Sequence, residues 1–180
     1  MRTAARRLAA VGVPVVHAES APDNVDQTRE VRTVPVPFRS EAFDVVLNRH
    51  SSYWPSEVAR LLKPRGRFLT QQRSDHGDTG ANWARLFDRP NAERPFDADF
   101  AVRQLRDAGF DIVRTDVATT PISFYDLAAV IYYLRMVPWA VDGFDPMKDR
   151  AHLVRIAEGI EANGELAVGG STMLVEAVRP

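Results

Sequence analysis

Asn48-Arg49-His50 and Gln71-Gln72 follow the short runs FDVVL and RFLT. Amide, guanidinium and imidazole groups at the ends of two buried strands share one rim, where they can hold a polar ligand. An imidazole with an ordinary pKa of about 6.5 can also accept a proton there at neutral pH. His50 is therefore the candidate general base, and Asn48 and Arg49 are candidate ligand contacts. The plainer alternative is that Asn48 and Arg49 cap the next helix and His50 bonds to backbone. A second group is aromatic. Tyr132, Tyr133, Arg135 and Trp139 lie on one apolar run, and Trp83 lies in a polar stretch. They suit a pocket for an apolar or aromatic small molecule, although aromatics at helical spacing also build cores.

Other chemistries are excluded by what is missing. The chain has no cysteine, so thiolate metal sites, disulfides and cysteine nucleophiles are ruled out. His17, His76 and His152 show no metal-ligand spacing. There is no Gly-x-Ser-x-Gly elbow for a hydrolase and no Gly-x-x-x-x-Gly-Lys loop for an NTPase.

The elements that must position these residues alternate. RTAARRLAA (2–10) is a helix, VPVVHAE (13–19) a short strand, and 20–36 a long loop rich in proline and polar residues. FDVVLN (43–48) is a strand. Pro55 opens a helix with Val58, Leu61 and Leu62 inward, and KPRG (63–66) ends it. RFLTQQ (67–72) is the next strand. Residues 73–97 lose periodicity and read as a mobile excursion or lid. A helix over 98–108 puts Val102 and Leu105 inward, and DIVRTDVAT (111–119) is a strand. FYDLAAVIYYLRMVPW (124–139) is a long aromatic helix. A last helix (148–162) carries Leu153, Ile156, Ala157 and Ile160, and TMLVEAV (172–178) is the closing strand. Strands alternating with helices predict an α/β fold with a mostly parallel sheet. Ligands in such sheets bind outside the carboxyl ends of the strands, where Asn48-Arg49-His50 and Gln71-Gln72 fall.

Bulk properties agree. The 180 residues suffice for one domain, 45% are apolar, and 23 basic side chains face 24 acidic ones for a net charge of −1. No basic field marks a nucleic-acid partner. No apolar run is long enough for a membrane span, and the N-terminus lacks a signal-peptide core, so a cytoplasmic location is expected.

PFRSEAFDVVLNRH (37–50) followed by SEVARLLKPRGRFLTQQ (56–72) resembles the middle of class I S-adenosylmethionine-dependent methyltransferases of the type 11 kind. Val36-Pro37-Phe38, Phe43-Asp44 and the turn Arg60-Leu61-Leu62-Lys63-Pro64-Arg65-Gly66 carry the likeness, with Arg65 where the family has the first glycine of that turn. The likeness covers residues 1–72 well and 98–180 in order of elements only. It implies a Rossmann-like, mostly parallel sheet with an antiparallel last strand. It implies S-adenosyl-L-methionine as cofactor and transfer of its methyl group to a small-molecule acceptor. Within VVHAES (15–20), Glu19 with Ser20 would meet the adenine side. Asn48, Arg49 and His50 would lie along the methionine part. In this scheme 1–72 is the cofactor-side half of a single domain, and 98–180 is the substrate-side half.

The family's Gly-rich turn has no counterpart, because the chain contains no Gly-x-Gly. The chain is thus expected to be truncated, starting at the helix after the family's second strand. Three origins are weighed: a start assigned too late, a truncated paralogue, or a partner chain or second copy that completes the exposed sheet. The competing function is a non-catalytic methyltransferase-like binding or assembly protein. A flavodoxin-like regulatory domain fits less well, since the chain opens on a helix.

Overall fold

The computed structural model of the protein describes residues 2–16, 35–74, 82–89, 96–119 and 121–180. Its elements are α1 (Arg2–Ala9), β1 (Phe43–Arg49), α2 (Pro55–Leu61), β2 (Leu62–Ser74), α3 (Trp83–Leu86), α4 (Ala98–Asp107), β3 (Asp111–Thr119), β4 (Ile122–Phe124), α5 (Leu127–Met136), α6 (Arg150–Asn163), β5 (Leu166–Val168) and β6 (Ser171–Val178). The main sheet has the order β1-β2-β6-β3. β1 and β2 are parallel, and β6 is antiparallel to both β2 and β3. Three strands therefore run one way, as the alternation of elements predicts, and the last runs against them, as the family resemblance implies.

The helices form where local chemistry favours them. Pro55 occupies the first turn of α2, whose Val58 and Leu61 are buried. Asp97 caps α4 by accepting from the Phe100 N–H at 2.7 Å, and α6 ends on Gly164 in the left-handed region. α2 and α4 cover one face of the sheet. Phe68 of β2, Met173, Val175 and Ala177 of β6, and Ala101 and Leu105 of α4 are all fully or almost fully buried there.

A second core lies beyond the end of the sheet. The β3/β6 ladder stops at Thr119–Ser171 and resumes in the same register at Ile122–Val168, as β4 pairs with β5. Pro121 on one side has no N–H for the ladder, and Gly169-Gly170 on the other favours a bend. α5 and α6 are inserted between β4 and β5, and Phe87, Phe124, Val130, Leu134 and Ile156 pack between them.

Some expected boundaries move. Phe124 belongs to β4, not to the aromatic helix. Asp126 accepts from the Ala129 N–H at 2.7 Å and starts α5 only at Leu127. Residues 13–16 form no strand, and 17–19 lie outside the described residues. KPRG is drawn into β2 as an irregularity: Phe43 pairs with Leu62, and Val45 with Arg67.

Candidate functional site

The parallel register sets Asn48 beside Thr70 and Arg49 beside Gln71. Alternation then divides the rim. Asn48, Thr70 and Gln72 point to the helix-covered face, while Arg49 and Gln71 point to the other. Thr70 is fully buried and Gln72 nearly so, so their polar atoms need partners. The Thr70 hydroxyl donates to Asn48 Oδ1 at 2.9 Å. Gln72 Nε2 donates to the same oxygen, to the Ser51 carbonyl at 2.7 Å and to Thr70 Oγ1 at 3.1 Å. This fixes the Asn48 side chain. Its oxygen is committed inward, and its amide nitrogen has no partner among the described residues.

The chain then turns sharply. His50 takes φ 48°, in the left-handed region, and its N–H donates to the Gln71 carbonyl at 2.9 Å. The turn leaves its side chain exposed, and such strain in a non-glycine residue concentrates at functional positions. Tyr53 follows, buried with its ring 5.0 Å from that of Phe68. Burial pushes its phenol well above the ordinary range, so Tyr53 stays protonated at neutral pH and is no base.

The remaining candidates are dispersed. Glu19 and Ser20 lie outside the described residues, as do His17 and His76. Trp83 and Tyr133 come together: their rings stack at 5.5 Å with 20° between planes, and Phe124 lies 5.3 Å from Tyr133. They form part of the second core's wall. Tyr132, one residue along α5, is 68% exposed, and Arg135 is exposed too. Trp139 sits in the 3-10 turn Pro138–Ala140 that follows α5. Among the described residues no three His, Asp or Glu side chains converge on a metal-sized site. No described helix is long and apolar enough to cross a membrane.

Thr70 and Ser51 complete the network and carry no sequence signal of their own. Gly170 is another unforeseen contributor. A Cβ there would lie 1.8 Å from Arg73 Nη2, so the bare glycine lets the Arg73 side chain lie against the ladder break at the rim.

Solved structures are similar to the chain in fold. A candidate methyltransferase from Bacillus halodurans matches 81% of the chain over 73% of its own length, with 17% identity and a TM-score of 0.52. The chain therefore shares the fold of that candidate methyltransferase. A 4+2 cyclase matches 99% of the chain over 60% of its own length, at 18% identity and a TM-score of 0.46. A candidate sarcosine dimethylglycine methyltransferase from Galdieria sulphuraria matches 80% over 56%, at 15% identity and a TM-score of 0.40. The chain thus spans less than two thirds of the latter two. No family model and no curated protein matches the sequence.

Proposed function

We propose that the protein binds S-adenosyl-L-methionine at the ends of β1 and β2 and transfers a methyl group to a small-molecule acceptor. The observation that carries this reading is the rim itself. In a sheet with β6 inserted antiparallel between β2 and β3, the parallel pair ends on an asparagine held by Thr70 and Gln72 with its amide donor uncommitted. That donor suits the carboxylate of the cofactor's amino-acid end, while Arg49, exposed on the opposite face of the sheet, meets the cofactor from its other side. Glu19 and Ser20 are assigned to the adenine side from the sequence resemblance. Bound cofactor would supply an electrophilic methyl group on sulfur. The protein's part is to position the acceptor and exclude water from it. His50 accepts the proton where the acceptor carries one at neutral pH. The acceptor side is formed by Trp83 and Tyr133, with Tyr132 and Arg135 nearer the surface and Trp139 assigned to it from the sequence.

A second reading, a methyltransferase-like binding or assembly protein without cofactor, draws on two observations. The sequence has no Gly-x-Gly, and the outer edge of β1 pairs with no strand among the described residues. Calorimetric titration with S-adenosylhomocysteine separates the two readings. The first expects one site with a Kd on the order of 10 μM, weakened about tenfold in Asn48→Ala, by loss of roughly one hydrogen bond to a charged group. A folded chain that gives no heat of binding overturns the first reading and leaves the second.

A further inference from the structure

α3 and α6 enclose a groove of about 490 Å³, on elements separate from the strand-end rim. Its floor is apolar, made by Leu86, Ile156 and Leu166, and two arginines, Arg85 and Arg155, line it against a single acid, Asp88. Asp88 reaches the rim of the groove from a left-handed backbone, φ 52°. Its carboxylate accepts from His152 Nε2 at 3.1 Å and from Arg155 Nη2 at 3.3 Å, yet its side chain is 73% exposed. The other carboxylate near His152 is buried Asp149. It is held by Arg89 Nη2 at 3.1 Å and by the Asp145 N–H at 3.0 Å, with His152 Nδ1 3.9 Å away and without a hydrogen-bond partner among the described residues.

Gly159 lines the same groove from the interior of α6. A Cβ at this position would meet nothing within 4 Å, so packing does not require a glycine. In a helix interior glycine is also the poorest residue after proline. What the missing side chain leaves is open space above the apolar floor.

We propose that this groove binds a small organic carboxylate with an apolar body. The carboxylate takes the place of Asp88 on Arg155 and His152, and the body lies over Leu86, Ile156 and Leu166 beside Gly159. Asp88 acts as an internal stand-in for the ligand: it shows that His152 and Arg155 are spaced to share one carboxylate. Its ion pairs are surface pairs and are worth little, so exchange for a ligand that also buries apolar area is favourable. The proposal does not depend on methyl transfer.

The test is a titration of the full chain with benzoate, followed through backbone amide NMR shifts. The expected result is saturable shifts confined to residues 83–88, α6 and β5, with a Kd on the order of 1 mM. Benzyl alcohol, the neutral analogue, should bind at least tenfold more weakly. Asp88→Asn removes the competing carboxylate with a residue that tolerates the same backbone, and should tighten benzoate several-fold. Arg155→Gln should weaken it about tenfold. Gly159→Leu fills the groove with a better helix former, and should abolish binding while the thermal midpoint holds or rises. Absence of localised shifts, equal binding of benzyl alcohol, or unchanged binding by Gly159→Leu would each overturn the proposal.

Discussion

Arg65 and His50 both hold left-handed backbone, at φ 63° and 48°, but for different reasons. Arg65 stands in the irregularity within β2, where its N–H donates to the Arg179 carbonyl and the Arg179 N–H donates to the Gly66 carbonyl. The next position is packed as well: a Cβ on Gly66 would come within 2.8 Å of the Lys63 carbonyl oxygen. The turn therefore forces the conformation, and Arg65 bears a cost of about 1–2 kcal/mol that glycine would not. Arg65→Gly should stabilise the protein by about 0.5–1 kcal/mol once the added freedom of the unfolded chain is subtracted, measured by denaturant unfolding. His50→Gly should give a similar gain but at the rim. If it also abolishes methyl transfer while S-adenosylhomocysteine still binds, the imidazole acts on the acceptor. If neither variant is stabilised, the two turns are not strained.

At the scale of elements, α2 carries a clamp on the chain entering β1. Arg60 bonds both oxygens of Glu57, the Phe38 carbonyl at 2.8 Å and the Val36 carbonyl at 3.2 Å, while Glu57 accepts from the Val36 N–H at 2.9 Å. The hydrogen bond from Arg60 is the main cause holding the Glu57 carboxyl below its ordinary value of 4.5; the Val36 N–H acts the same way, and partial burial opposes both. A carboxyl lowered on folding contributes stability above its unfolded value, and loses it as pH falls through the folded one. Glu57→Gln should thus cost on the order of 1 kcal/mol at pH 7. The gap between variant and wild type should close well below pH 4.5, as read from unfolding free energies at the two pH values. A gap that stays constant with pH would mean the charge contributes nothing. Elements like this one were legible from local signals: Pro55 with an apolar triplet, and β-branched runs at 43–48 and 111–119. The two three-residue strands β4 and β5 were not, because three residues carry no period and their pairing is set by the long β3/β6 ladder. Asp126 was a readable cap signal that would have moved the start of α5 past Phe124. At the rim, the polar ends of two strands could be read from sequence. The sharing of Asn48 between Thr70 and Gln72 could not, since it follows from which residue pairs with which across β1 and β2. Likewise nothing local separates Tyr133, stacked on Trp83, from exposed Tyr132.

At the scale of the whole molecule, the described residues form two cores joined by one interrupted ribbon. Leu105 is fully buried among Phe68, Met173 and Val175 under the sheet, and Leu134 is 1% exposed among the residues between α5 and α6. Truncation of either to alanine removes the same side chain and should cost about 2–5 kcal/mol. The consequences should differ, because Pro121 and Gly169-Gly170 interrupt the ladder between the cores and weaken their cooperation. Loss at Leu105 attacks the sheet that both cores depend on, so Leu105→Ala should lower the stability of the entire chain in one transition. Loss at Leu134 attacks only the inserted unit. Leu134→Ala should therefore raise amide hydrogen exchange across α5 and α6 long before β2 and β6 lose protection, and split thermal unfolding into two steps. A local opening of that kind would uncover the Trp83–Tyr133 wall without dismantling the Asn48–Thr70–Gln72 rim, so a cofactor bound at the strand ends should survive it. Uniform exchange across both cores in Leu134→Ala would instead show that the ribbon transmits stability through its break, and that the two cores fold as one.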